Sequence, residues 1–408
     1  MNVPDAAAIV RGWRRPIVQE AALLWSANII AMAAGFVVPL ALARLAAPAD
    51  YGRFSFVTAM LAALSIVTLP GLNLAITQGA ARQQDGTLGV ALASRGRGGL
   101  LMVVIVLVVG SALVAFGDRP TGWGLLLVSP FVMGAYALDS GLAFLNGLHA
   151  FKPMALFLTA AAGVPALAVL LLLFAGAPIP GVIAGYVLAL AAVNAAALRH
   201  AKRLRRNDRV DADTVRYGRR MTWISSLGLL QFYIDRVIVG AALGFVDLAL
   251  YSAAKLFQQG LKTAWSSINQ VLFPRLAAAS DPARARTMTW TTLGPIWIGF
   301  ALLAAIAAAL APAIVAVLFG PTYLPSITPA RVLMLAVVIG IPGAQFEMLF
   351  RATSDERKLY TQRLTFTAAE ILATGAGALW YGTLGASVGM AIAYGLNTVM
   401  GFVLNRSR

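Results

Sequence analysis

This sequence predicts an all-α polytopic membrane protein: about twelve transmembrane helices in two pseudo-symmetric six-helix bundles around a central cavity. Three observations predict it. Of 408 residues 60% are hydrophobic and 12% charged, with a mean hydropathy of +0.79, beyond what a soluble core requires. Apolar runs long enough to span a bilayer, which takes roughly 20 residues, recur along the chain. One strongly basic stretch, 199–220, with nine Lys or Arg, divides the chain into halves of similar length. The expected division is a lobe at 1–198, a basic cytoplasmic linker at 199–220 and a lobe at 221–408.

The helices are expected at about 18–44, 53–80, 98–117, 121–147, 154–175 and 181–198 in the first half. In the second they are expected at about 219–243, 248–277, 288–318, 324–350, 359–382 and 385–404. Pro and Gly punctuate the turns between them, as in Ala46-Ala47-Pro48-Ala49-Asp50-Tyr51-Gly52 and Gly382-Thr383-Leu384-Gly385. The first run carries no cleavage pattern and reads as a retained helix. A polar segment is expected at 82–97, and both histidines, His149 and His200, are expected in loops.

The formal charge of +16 invites a nucleic-acid reading. No soluble basic domain supports one, so nucleic acid is not an expected partner. The charges fix topology instead. With both termini cytoplasmic, the inner segments hold 25 Lys or Arg, Arg11, Arg14, Arg15, Arg95 and Arg408 among them, and the outer turns hold 4; that asymmetry favours an even helix number and this orientation. The absence of cysteine excludes disulfides and thiolate chemistry. The outer turns are too short to hold a catalytic domain. No enzyme activity, cofactor or metal is expected.

A shift of 197 residues brings Asp50-Tyr51-Gly52-Arg53-Phe54-Ser55 onto Asp247-Leu248-Ala249-Leu250-Tyr251-Ser252. An acid, an aromatic and a serine agree at fixed offsets, and the helix pattern superposes with them. Both halves start on the same side, so the repeats are parallel.

Charged groups at bilayer depth must face a cavity or a partner. In the eighth expected helix Lys255, Gln259, Lys262, Ser266 and Asn269 share one face. Antiparallel pairing with the seventh helix puts Asp235 near Lys255. Two readings follow: a cationic patch of Arg236, Lys255 and Lys262 for an anionic headgroup, with Gln259 and Arg53 as further contacts; or an internal ion pair of Asp235 with Lys255 or Arg236. Glu370 shares a face with Arg363, Thr367 and Thr374. Glu370, Asp235 and Asp139 are candidates for ion coupling. Glu347 and Arg351 are spaced as a local pair. Arg44 and Arg53 bracket the first outer turn. Prolines 39, 70, 130, 165, 295 and 342 fall within expected helices and predict kinks.

The stretch Leu42-Ala43-Arg44-Leu45-Ala46-Ala47-Pro48-Ala49-Asp50-Tyr51-Gly52-Arg53-Phe54-Ser55 resembles the N-terminal signature of Wzx-type polysaccharide transporters. These are lipid-linked oligosaccharide flippases of the multidrug/oligosaccharidyl-lipid/polysaccharide exporter superfamily. Asp235-Arg236-Val237-Ile238-Val239-Gly240, with Asp247 to Lys255, resembles the start of that family's second half. The resemblance implies two six-helix lobes and transfer of an undecaprenyl-diphosphate-linked glycan from the cytoplasmic to the periplasmic leaflet of the bacterial inner membrane. It implies membrane lipid, and the glycan polymerase and chain-length proteins of an O-antigen, capsule or exopolysaccharide pathway, as partners. The alternative is a cation antiporter for drugs or metabolites with the same fold, which calls for an acidic cavity rather than a lysine stripe.

Overall fold

A computed structural model describes residues 6–210, 212–279 and 281–406. Arg408 lies outside the described residues, as do the side chains of Arg11, Arg14 and Arg15. The described chain is helical throughout: α1 (Ala6–Leu45), α2 (Pro48–Leu64), α3 (Leu72–Ala81), α4 (Thr87–Phe116), α5 (Arg119–Tyr136), α6 (Ser140–Gly147), α7 (Phe151–Phe174), α8 (Ile179–Arg203), α9 (Ala212–Leu243), α10 (Phe245–Ala277), α11 (Pro282–Ile314), α12 (Ile327–Ala352) and α13 (Glu356–Arg406). By length and composition ten of the described helical segments can cross a membrane. One of them, α13, breaks at Tyr381 and Gly382 and supplies two passes. Polar side chains depress the hydropathy of α10, which at 33 residues is as long as α11. Counted with these, the described residues make the twelve passes that the sequence predicts.

Two compact units emerge: residues 1–41 with 64–226, and residues 42–63 with 227–408. The resemblance motif at Leu42–Ser55 thus belongs to the second unit.

In the first unit, two helices expected to be continuous are interrupted. The run at 53–80 breaks after the 3-10 turn Ser65–Thr68, where Leu69 adopts φ 57° ahead of Pro70. Proline has no N–H to continue the ladder and restrains the residue before it. The run at 121–147 breaks at Ala137–Asp139, between α5 and α6. The polar segment 82–97 is mostly helix, because α4 begins at Thr87. His200 lies within α8 against the Phe157 ring, not in a loop, while His149 occupies a turn as expected. The basic linker is likewise largely helical. α8 continues to Arg203, and the coil at 205–210 is fastened to the α3–α4 turn. Asp85, fully buried, accepts hydrogen bonds from Arg206, and Asn207 donates to the Gln83 carbonyl. Leu72, Ile76, Leu88, Phe144, Leu145 and Leu198 form an apolar core nearby.

In the second unit, α2 enters beside the start of α10. Phe56 stacks edge-on against Phe245 at 5.6 Å, and Tyr51 meets Tyr323 at 6.1 Å. Gly52 makes this approach possible, since a Cβ there would collide with the Phe245 carbonyl. The repeated motif holds equivalent places on two helices. Asp50 and Asp247 sit in the first turns of α2 and α10, and Phe54, Ser55, Tyr251 and Ser252 are buried. Val239, Leu248, Tyr251, Leu333, Ala378 and Met390 make the core that joins α9, α10, α12 and α13. Arg44 at the end of α1 donates to the carbonyls of Val317 and Leu318, where α11 ends in a π-turn.

Candidate functional site

The second unit builds its polar interior on the α9–α10 hairpin. Gly244, at φ 87°, turns the chain between the two helices. The antiparallel return brings Lys255 onto Asp235, as the sequence predicts. Lys255 Nζ ion-pairs with Asp235 Oδ2, and the Tyr251 hydroxyl donates to the same oxygen at 2.9 Å. All three side chains are buried. An isolated buried charge is costly, and pairing with an added hydrogen bond offsets that cost. Lys255 is therefore an internal partner of Asp235.

Seven residues on, two helical turns, Lys262 opens into a cavity of about 240 Å³. Gln231, Phe232, Trp265, Tyr394 and Asn397 line it with Lys262. The ammonium lies 5.7 Å from the Phe232 ring centre and 5.5 Å from that of Tyr394. Glu347 also reaches this cavity, but its Oε1 accepts from Arg351 Nη2 at 2.9 Å and from Arg363 Nε at 2.9 Å. The local pair predicted from spacing is thus a triad with Arg363. Among the described residues no carboxylate lies within ion-pair distance of Lys262. The cavity is thus lined by aromatic faces, two amides, Lys262 and the arginine-paired Glu347.

α13 contributes the face that carries Thr367, Glu370 and Thr374, all buried. Gln231 Nε2 donates to Thr367 Oγ1 at 2.8 Å and to the Arg363 carbonyl at 3.1 Å. Glu370 is fully buried with no hydrogen-bond partner on either oxygen, and it lies within electrostatic reach of Lys255 and Lys262. Gln258, beside the stripe, is buried with both amide atoms unpartnered.

The remaining candidates lie elsewhere in their units. Arg236 sits over the rings of Phe232 and Tyr233, at 5.9 and 5.1 Å. Arg53 pairs with Asp50 at 2.8 Å and lies 5.6 Å from the Phe245 ring centre. Gln259 is half-buried and its carbonyl accepts from Thr263. Of the three cations in the expected patch, Lys262 lines the cavity, Lys255 is closed into the Asp235 pair and Arg236 is stacked on rings.

The first unit holds the polar centre that sequence reasoning missed. Arg95, counted there as a loop charge, is a fully buried residue of α4. Its guanidinium pairs with Asp139 Oδ1 at 2.6 Å and donates to the carbonyls of Thr68 and Tyr136 at 3.1 and 2.8 Å. It also donates to Asn73 Oδ1 and, at 2.9 Å, to Ser140 Oγ. Thr68 and Tyr136 are the last residues before the two helix breaks, whose carbonyls have no partner within their own helices. The signal available in the sequence was the combination of Arg95, Asn73 and Asp139 as isolated polar residues bordering apolar runs.

Among the described residues no three His, Asp or Glu side chains gather to ligate a metal. A family model described as polysaccharide biosynthesis protein matches residues 17–280. No curated protein matches the sequence. The structure is similar to a multidrug resistance MATE family transporter of the MOP superfamily in its inward-facing conformation. That match has a TM-score of 0.76 and 13% identity, and covers 95% of this chain and 97% of that chain. An outward-facing structure of such a transporter gives a TM-score of 0.68 at 15% identity over 96% of this chain and 94% of that one. A MOP superfamily transporter from Pyrococcus furiosus, whose binding pocket is described as having reverse polarity that suggests a different function, gives 0.67 at 16% identity with the same coverage. These likenesses establish the fold, an all-α multi-pass membrane architecture.

Proposed function

Because the chain belongs to the family of polysaccharide biosynthesis proteins, we propose that it is a flippase for an undecaprenyl-diphosphate-linked oligosaccharide. It moves this lipid from the cytoplasmic to the periplasmic leaflet by alternating access, for O-antigen, capsule or exopolysaccharide synthesis. Both termini face the cytoplasm, and the protein resides in the inner membrane.

One observation carries the reading: Lys262 opens into a cavity among aromatic and amide side chains with no carboxylate in ion-pair distance among the described residues. A fixed cation attracts a diphosphate and repels a cationic drug. The pocket of one structural neighbour is described as having reverse polarity; here Lys262 supports an anionic substrate. Aromatic faces and amides suit the sugar that follows the diphosphate.

Asp235 and Asp139 are each held by a cation, Lys255 and Arg95. Glu370 has no such partner. A fully buried carboxyl without a donor holds a proton or a small cation. Glu370 is accordingly the ion-coupling residue of this reading. Its buried acid is also the observation that favours the second reading, a cation antiporter for drugs or metabolites.

Reconstitution in proteoliposomes tests both. An undecaprenyl-diphosphate oligosaccharide is placed in one leaflet, and its accessibility to an added glycosidase is followed with and without a pH gradient. Protein-dependent flipping supports the proposal. Export of a cationic dye without flipping transfers the protein to the antiporter reading.

A further inference from the structure

A second cavity in the same unit abuts the Lys262 pocket and has the opposite character. It lies between α10 and α11, measures about 350 Å³, and is lined by Ala264, Ile268, Pro295, Gly299, Phe300 and Leu303, with no charged side chain. The two cavities share a wall. Trp265, which lines the polar pocket, meets Phe300, which lines the apolar groove, at a ring separation of 6.2 Å and an angle of 69°. On α10 the sides divide cleanly: Lys262 and Trp265 border the polar space, and Ala264 and Ile268 border the apolar one. A Cβ on Gly299 would meet no atom within 4 Å, so the groove is open at that point.

We propose that the α10–α11 groove holds the proximal isoprene units of the substrate's polyprenyl chain while the diphosphate occupies the Lys262 cavity. This inference rests on the flippase reading. Its physical basis is the juxtaposition of a cationic pocket and a hydrocarbon groove across one aromatic wall, which matches a ligand that is anionic at one end and hydrocarbon from its first atoms onward. Bilayer tails are as apolar as the groove, so hydrophobicity alone selects nothing there. Selection comes from the tether: a chain whose headgroup is anchored beside Trp265 reaches the groove at high effective concentration, and a free lipid does not.

Photo-crosslinking tests this with radiolabelled undecaprenyl diphosphate and full-length protein in phosphatidylglycerol-containing proteoliposomes. A benzophenone amino acid replaces Leu303 on the groove side or Phe232 on the polar side, both partly exposed. The expected result is labelling at both positions that excess unlabelled undecaprenyl diphosphate competes and excess phosphatidylglycerol does not. Lys262→Ala should lower labelling at position 303 at least fivefold, because the tether is lost. Gly299→Leu should remove labelling at 303 and preserve it at 232. Labelling at 232 without labelling at 303 overturns the groove and leaves the headgroup reading standing. Labelling at 303 that phosphatidylglycerol competes equally, or that Lys262→Ala leaves unchanged, marks the groove as bulk-lipid space and overturns the proposal. Labelling at neither position by a protein that still unfolds cooperatively overturns the groove and the flippase reading together.

Discussion

Arg95 and Asp139 form an ion pair at 2.6 Å inside the first unit, and the same guanidinium collects the carbonyls that two interrupted helices leave open. A helix that stops within a bilayer leaves carbonyls with no water to bond, and they must be satisfied by protein. Arginine offers five donors in a fixed fork. Lysine offers three on a flexible stem and cannot span both helix ends. Arg95→Ala should therefore destabilise the protein by about 1–3 kcal/mol, the cost of leaving those acceptors without a donor, because Asp139 itself is partly exposed and can be hydrated. Arg95→Lys should recover little of that loss. Thermal unfolding in detergent checks both, and an unfolding midpoint unchanged in Arg95→Lys would show that the charge alone suffices.

The Asp235–Lys255 pair makes a different prediction, because each partner's cost is set by the other. Asp235→Asn and Lys255→Met should each destabilise by about 3–5 kcal/mol by stranding a buried charge. The double substitution should cost less than either single one, since both charges leave together. A double-mutant cycle by denaturant unfolding measures the coupling. Strict additivity would mean that the pair does not act as a unit.

The linker clamp carries the pH prediction. Arg206, hydrogen-bonded to the Asp85 carboxylate, holds that group below the usual aspartate range, and the partner guanidinium is raised in turn. A depressed carboxylate contributes stability above its unfolded value and loses it as pH falls through the folded value. The clamp should thus persist down to the ordinary aspartate range, near about pH 4, and open only below it. The chain has no cysteine, so a single Val210→Cys spin label reports the linker without background. Its mobility should rise only below that pH. With Asp85→Asn the label should be mobile throughout. A rise near neutral pH would contradict the assignment.

Gly52 makes the last structural prediction. Any side chain there meets the Phe245 backbone, which cannot move as a flexible side chain can. Gly52→Ala should force α2 from α10 and cost about 1–3 kcal/mol, whereas Gly299→Ala, with open space around it, should be near neutral. Paired melts of the two variants check the contrast.

Much of this architecture was legible in the sequence, and for identifiable reasons. Apolar run length gave the twelve passes, since the bilayer imposes that length. The 197-residue offset placed Tyr251 and Ser252 against Phe54 and Ser55 at equivalent buried turns. Hairpin arithmetic brought Lys255 to Asp235, because antiparallel helices of constant rise fix which residues share a depth. The two helix breaks were not legible. Pro70 by itself predicts a kink; the Arg95 contacts, with Thr68 and Asn194 donating to the Tyr136 and Ala135 carbonyls, explain how a full interruption is tolerated. Arg95 was missed because charge counting assigns an arginine to water by default, and its side-chain partners Asn73 and Ser140 lie 22 and 45 residues away, with Asp139 beside the latter. The stripe on α10 was seen as one face. That its second lysine opens into a cavity depends on α12 and α13, whose packing no local pattern encodes.

The leaflet assay with Lys262→Ala tests the central claim most directly. Wild-type protein should expose the undecaprenyl-diphosphate oligosaccharide to external glycosidase. Removing a single charge-assisted contact to the diphosphate, worth roughly 1.5–3 kcal/mol, should slow that exposure about ten- to a hundredfold with unfolding unchanged. Full-rate flipping by a folded Lys262→Ala protein would contradict the account.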